Sequence, residues 1–84
     1  MNEATLIEEC IKGNSNAQRM LFDKFAPKML GICMRYTKSL EQAEDVVQEG
    51  FIKVFTKLKD FNQEGSFEGW IRRVVVNTAL DEIR

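Results

Sequence analysis

Apolar side chains recur mainly at intervals of three or four residues, the spacing that keeps them on one face of an α-helix. The first such stripe covers residues 4–11 and stops before Gly13, a residue that suits the end of a helix. A second, longer stripe follows the N-cap formers at residues 14–16 and extends to Tyr36. Pro27 lies inside this stripe and removes one backbone hydrogen bond, so we expect a kink in the helix there, with two helices broken at this point as the alternative.

A third stripe begins after Ser39, which together with Gln42 matches the capping box that starts many helices. Its apolar positions are Ala43, Val47, Phe51, Val54, Phe55 and Leu58. The helical period breaks over residues 60–65, where turn and cap formers replace apolar residues. We therefore expect a loop after the third helix.

A fourth stripe follows this loop, with apolar positions at Phe67, Ile71, Val74, Val75, Thr78 and Ile83. The β-branched run at residues 74–76 would suit a strand, but the helical spacing on both sides of it favours a helix. The four stripes together predict an all-α fold, a compact bundle of about four helices with a loop between the third and the fourth.

Length and composition favour one globular domain over residues 1–84. Of the 84 residues, 44% are apolar and 30% charged, and no Gly-, Pro- or Ser-rich linker divides the chain. No run approaches the roughly 20 apolar residues of a membrane span, and the N-terminus does not have the profile of a signal peptide. We expect a cytoplasmic protein that does not bind membranes. Because the fourth stripe is still in phase at Arg84, we also expect an N-terminal fragment of a longer chain.

The residue types argue against catalysis. Histidine is absent, which removes the commonest general base and metal ligand. Cys10 and Cys33 stand far apart within apolar stripes, which indicates buried free thiols. We therefore expect no enzyme activity, no metal and no cofactor. The 12 basic and 13 acidic side chains leave a net charge of −1, so no overall field attracts nucleic acid.

One polar patch is predicted on the third helix, on the face opposite its apolar stripe. Asp45, Gln48, Glu49 and Ile52 follow one another at three- and four-residue spacings. Carboxylates with a neighbouring amide suit contacts to arginines on a partner helix. The alternative is a solvated face whose acidic groups only balance the helix dipole. Gly50 costs about 1 kcal/mol in the middle of a helix relative to alanine, which suggests close approach of another backbone.

A second constellation spans residues 61–77, where aromatic, amide and arginine side chains alternate. Phe61, Trp70, Arg73 and Asn77 are among its members, and Asn77 follows Trp70 by two helical turns. Unpaired bases are held by stacking on aromatic faces, by amides at their edges and by arginines at phosphates, so single-stranded nucleic acid is one candidate ligand. The alternative is that these aromatics belong to the core and that Trp70 closes a small hydrophobic centre.

The two constellations, in this order and register, resemble the sigma-2 domain (region 2) of bacterial sigma factors of the extracytoplasmic-function (ECF) group. The resemblance covers nearly the whole chain and is most specific over residues 45–51 and 65–67, at Trp70 and Ile71, and at Asn77 and Asp81. It implies a transcription-initiation domain. Such a domain binds core RNA polymerase through the β′ coiled coil. It also recognises the promoter −10 element, which it helps to melt by capturing a flipped non-template base.

The resemblance also assigns residues. Polymerase docking falls on Asp45, Gln48 and Glu49. The DNA-binding positions, which include a specificity loop at residues 62–66, are Lys57, Phe61, Asn62, Ser66, Trp70, Arg73, Val74 and Asn77. An anti-sigma factor is an open further partner, and a helical domain that docks a basic partner helix without nucleic acid is the alternative function.

This sequence also departs from the family pattern. Gly50 stands where alanine is common, and the basic stretch after the last helix and the helix-turn-helix domain that reads the −35 element are absent.

Overall fold

Four α-helices and one short 3₁₀ helix make up the secondary structure of residues 2–63 and 65–82, the part of the chain that this computed structural model describes. The elements are α1 (Glu3–Ile11), α2 (Ser15–Cys33), α3 (Leu40–Lys57), the 3₁₀ helix (Leu58–Asp60) and α4 (Phe67–Glu82). The described residues contain no strand, so the predicted all-α bundle with a loop before its last helix is confirmed. Three positions used in the sequence predictions, Glu64, Ile83 and Arg84, lie outside the described residues.

Each of the four α-helices begins after a residue whose side chain accepts a hydrogen bond from a backbone N–H of the first turn. The acceptors are Asn2 for Thr5 at 2.8 Å, Asn14 for Ala17 at 3.1 Å, Ser39 for Gln42 at 3.1 Å and Ser66 for Gly69 at 3.0 Å. The capping box at Ser39 is shifted by one residue, because the Gln42 side chain accepts from the Lys38 N–H at 2.8 Å rather than from that of Ser39. The caps therefore fix where the helices start.

Helix α2 runs through Pro27 without interruption, so the prediction of two separate helices is wrong and the prediction of one helix holds. The helix ends at Cys33, whose carbonyl accepts from the Tyr36 N–H and from the Thr37 hydroxyl. The predicted stripe was too long at this end, because Tyr36 lies in the turn beyond the helix and is exposed. Met20, another predicted stripe position, is also exposed.

The core lies where the four helices meet, and each helix contributes fully buried side chains to it. Examples are Ile7, Leu21, Phe51 and Ile71. α4 packs along α3 and against the middle of α2, and α1 covers α2 and the 3₁₀ helix. Both cysteines are buried free thiols, as predicted, and burial raises the pKa of Cys10 and of Cys33. Among the described helices, none is both long and apolar enough to span a bilayer.

Candidate docking and nucleic-acid surfaces

Helix α3 presents the predicted docking residues as one exposed ridge, which we call the α3 ridge: Asp45, Gln48, Glu49 and Ile52. The ridge faces away from the buried side of the helix, and the Ile52 side chain is 62% exposed. Within the described chain, the three polar side chains of the ridge make no hydrogen bond or ion pair. The fold therefore leaves all three available to a partner.

A groove with an apolar floor runs between α2 and α3, on one side of this ridge. Its lining residues are Phe22, Asp23, Ala26, Pro27, Leu30, Glu44, Val47 and Gln48, and its volume is about 390 Å³. The carboxylates of Asp23 and Glu44 stand among the apolar side chains, and Gln48 belongs to both the groove and the ridge. We call this feature the α2–α3 groove. Sequence periodicity predicted the ridge but not the groove, because spacing within one helix does not show which helix packs beside it.

A second, acidic cleft lies on the other side of the ridge, between α3 and the end of α4. It is lined by Gln42, Asp45, Val46, Glu49 and Glu82. The two ion pairs in the described residues, Lys12 with Glu9 and Lys28 with Glu68, lie elsewhere. The cleft therefore adds an unbalanced carboxylate to the ridge, which makes this face of the bundle electronegative.

The aromatic residues of the second constellation form one packed cluster at the start of α4. Phe61 lies 5.1 Å from Phe67 and 5.4 Å from Trp70 between ring centroids, and Phe67 and Trp70 stack with their planes 12° apart. Phe25 of α2 meets Phe67 edge-on at 5.6 Å. Phe61 is only 9% exposed, whereas Trp70 is half-buried. Trp70 thus both closes the core, as the alternative proposed, and carries the accessible part of the cluster.

Four predicted DNA-binding residues share one face of α4. Trp70, Arg73, Val74 and Asn77 stand at helical spacings of three and four residues, with Arg73 and Asn77 exposed and the other two half-buried. This face, the α4 stripe, continues outward from the aromatic cluster. The structure therefore brings an aromatic surface, a cation and an amide onto one face of α4, which are group types that can hold an unpaired base.

The loop between the 3₁₀ helix and α4 reverses the chain through two residues in the left-handed region, Gln63 with φ 62° and Gly65 with φ 77°. Asn62 and Ser66 are both exposed. The Ser66 hydroxyl is already occupied as an acceptor, because it caps α4 through Gly69. Ser66 therefore has a structural role that is independent of any contact with DNA.

Lys53, which was not among the predicted DNA-binding residues, lies beside Lys57 on α3. Gly50 faces α4, since a Cβ built on it would lie 3.3 Å from the Val75 Cα. Residues 53 and 57 follow Gly50 at helical spacing, so Lys53 and Lys57 lie on the same side of α3. Lys53 is half-buried and Lys57 is exposed. In the sequence, the spacing of residues 50, 53 and 57 already indicated that they share one side of α3. That this side faces α4 could be known only from the structure, where Gly50 packs against Val75.

The comparisons with known proteins identify the family of this four-helix domain. Residues 21–84 match the family Sigma-70 region 2. The chain is 33% identical over 78 residues to the RNA polymerase sigma-H factor of Pseudomonas aeruginosa, covering 93% of this chain and 40% of that protein. It is 34% identical over 79 residues to the ECF RNA polymerase sigma-E factor of Escherichia coli, covering 94% and 41%.

A solved structure of an engineered region 2 of sigmaE, in complex with GTAAAA, superposes on this fold with a TM-score of 0.85. The two chains are 33% identical, and the match covers 99% of this chain and 90% of that one. The chain therefore belongs to the Sigma-70 region 2 family and is of the ECF type, which confirms the resemblance. It spans about two fifths of the length of the curated relatives. The roles of individual residues remain predictions.

Proposed function

We propose that this chain acts in transcription initiation by binding core RNA polymerase through the α3 ridge and the promoter −10 element through the α4 stripe and the preceding loop. The observation that carries the proposal is the superposition, at a TM-score of 0.85, on a sigmaE region 2 bound to GTAAAA. The domain works by recognition and not by catalysis, and it works in the cytoplasm, where polymerase and promoter meet. Melting is then a shift of the DNA population toward an open state that the domain binds.

Capture of one flipped base explains how a small domain reads an opened promoter. A base inside a duplex exposes neither its faces nor its pairing edge, and extruding it costs a few kcal/mol that protein contacts must offset. Trp70 supplies a stacking surface and Asn77 supplies an amide donor and acceptor for the base edge. Arg73, Lys57 and Lys53 supply charge for the phosphates. These groups border the loop before α4, in which Gln63 and Gly65 adopt left-handed conformations.

Base preference tests the DNA half of the proposal. We would titrate the protein with single-stranded GTAAAA and with its single-base variants, and follow the emission of Trp70, the chain's one tryptophan. Asn77→Ala should reduce the discrimination at one position about tenfold, as the loss of a good base-edge contact predicts. Asn16→Ala, which removes an exposed amide from the first turn of α2, is the control and should keep the preference. Equal binding of all sequences by the unmodified chain would instead favour the alternative of a protein-docking domain without nucleic acid.

Charge complementarity supports the polymerase half of the proposal. The α3 ridge is acidic, its polar side chains are unpaired within the described chain, and an amide stands between two of the carboxylates. Such a surface suits the arginine-bearing β′ coiled coil that the family resemblance implies. We would measure binding of the isolated coiled coil by calorimetric titration. Glu49→Lys should abolish it, whereas Glu8→Lys, the same charge change on the exposed face of α1, should leave it within about twofold. Equal binding by both variants would contradict the ridge as the docking site.

A further inference from the structure

Pro27 sits in the interior of α2 and also lines the α2–α3 groove. A proline has no N–H, so it cannot donate the helical hydrogen bond to the carbonyl four residues earlier. That carbonyl belongs to Asp23, which lines the same groove. Because helical carbonyls point toward the C-terminus, the Asp23 carbonyl is directed along the helix toward Pro27. The groove therefore borders a main-chain acceptor that lacks its helical donor.

The apolar and acidic residues of the α2–α3 groove together favour a long cationic side chain as its ligand. The floor is apolar, formed by Phe22, Ala26, Leu30 and Val47, and the carboxylates of Asp23 and Glu44 rise beside it. A long cationic side chain satisfies both features, because its alkyl stem packs on apolar surface while its charged end reaches the acceptors. Arginine fits better than lysine, since its planar guanidinium carries five donors for acceptors that lie in different directions.

We propose that the α2–α3 groove receives an arginine of the partner helix that docks on the α3 ridge, and that the Asp23 main-chain carbonyl accepts one of its hydrogen bonds. This inference rests on the proposed polymerase docking, because Gln48 belongs to both the ridge and the groove. It assigns Pro27 the role of keeping an acceptor free for a partner.

The proposal predicts opposite effects of Pro27→Ala on the stability of the domain and on its affinity for the coiled coil. Pro27→Ala restores the backbone N–H, so it completes the helical hydrogen bond of α2 and occupies the Asp23 carbonyl at the same time. The melting temperature should rise while affinity for the coiled coil falls. If Pro27 served only to shape the helix, the substitution would move both quantities in the same direction or leave the affinity unchanged.

The experiment is calorimetric titration of the β′ coiled coil against Pro27→Ala, with Gly31→Ala as the matched control. Gly31 lies four residues further along α2, does not line the groove, and would meet nothing within 4 Å as alanine. Pro27→Ala should raise the Kd about tenfold, as the loss of one hydrogen bond to a charged group predicts, and Gly31→Ala should raise only the melting temperature. Asp23→Asn, which removes the carboxylate charge but keeps the carbonyl, should raise the Kd about threefold.

Two results would overturn the inference and leave the proposed function standing. One is a Kd for Pro27→Ala within about twofold of the unmodified chain while Glu49→Lys abolishes binding. The other is a change of the melting temperature and of the affinity of Pro27→Ala in the same direction. Absence of binding by the unmodified chain would instead refute the docking proposal and this inference together.

Discussion

Val75 packs directly against the backbone of Gly50: a Cβ built on Gly50 would lie 3.0 Å from the Val75 Cγ2 and 3.3 Å from its Cα. This contact joins the middle of α3 to the middle of α4. Glu49 of the α3 ridge directly precedes Gly50, and Asn77 of the α4 stripe follows Val75 by two residues. Gly50 thus allows α3 and α4 to approach closely between the proposed docking surface and the proposed DNA surface, as the sequence predicted.

Gly50→Ala should lower the free energy of unfolding by about 1 kcal/mol. The added methyl group meets a fully buried valine, and overpacking of this kind costs about 1–3 kcal/mol, which the better helix propensity of alanine offsets by about 1 kcal/mol. Gly31→Ala, on the open face of α2, should raise the free energy of unfolding by up to about 1 kcal/mol. Urea denaturation followed by circular dichroism measures both. Equal stabilisation by the two substitutions would show that α4 moves aside without cost.

Phe51→Ala should be the more damaging of two phenylalanine truncations on the same helix. Phe51 is 1% exposed and packs edge-on against Phe22 at 5.0 Å, so its removal opens a cavity that costs about 3–5 kcal/mol. Phe55 is half-buried, and its truncation should cost about 1–2 kcal/mol because part of the ring already meets water. Thermal unfolding of the two variants compares them. Equal losses would mean that the ring of Phe55 is as well covered as that of Phe51.

The burial pattern of each helix was predictable because an amphipathic helix fixes its own faces. The periodicity placed Phe51 inside and Asp45 outside without any knowledge of the neighbours. Periodicity within one helix does not show which helices pack against each other. Val46 was absent from the predicted stripe although it is buried, and the groove beside Pro27 was not foreseen, because both depend on how α2 and α4 pack on the sides of α3.

The accessibility of side chains at the candidate DNA surface also could not be predicted from the sequence. The pattern grouped Phe61 with Trp70 as aromatic residues available to a base, but Phe61 is packed behind Trp70 and contributes mainly to the core. Ser66 was predicted to bind DNA and is first of all a helix cap. Local spacing gives residue types in the right region, whereas tertiary packing decides which of them reach the solvent.

The two thiols should make the stability fall in mildly alkaline solution. Burial raises the pKa of Cys10 and of Cys33, and for Cys10 the neighbouring Glu9 carboxylate acts in the same direction. A thiol whose pKa is higher in the folded state stabilises that state below its unfolded pKa of about 8.5, and this contribution is lost as the pH rises through the folded value. Melting temperatures at pH 7–9.5 should therefore decline from about pH 8.5.

The rate at which a disulfide reagent modifies Cys10 and Cys33 is a second test of their burial. Because the thiols are buried and protonated, a disulfide reagent should modify them at pH 8 only as fast as the protein opens, and urea should accelerate the reaction. Immediate modification of both thiols in the folded protein would contradict the burial of Cys10 and Cys33.

Ser66 offers a way to separate the cap of α4 from the DNA surface. Ser66→Ala removes the acceptor for the Gly69 N–H and should lower the free energy of unfolding by about 1 kcal/mol. Ser66→Asp keeps an oxygen acceptor at the N-terminus of a helix, where a negative charge is favourable, so it should unfold like the unmodified chain. The two variants therefore differ in stability for a known reason, and urea denaturation verifies this before DNA is added.

The same pair then tests where the DNA backbone runs. If phosphates pass beside the loop before α4, the carboxylate of Ser66→Asp repels them by about 1 kcal/mol, or about fivefold in affinity, even though the fold is intact. The loss should shrink as salt is added, because salt screens exposed charges beyond about 10 Å at 0.1 M. Ser66→Ala should bind more tightly than Ser66→Asp despite being less stable. Undiminished binding of single-stranded GTAAAA by Ser66→Asp would place the backbone away from this loop and leave Ser66 with its capping role alone.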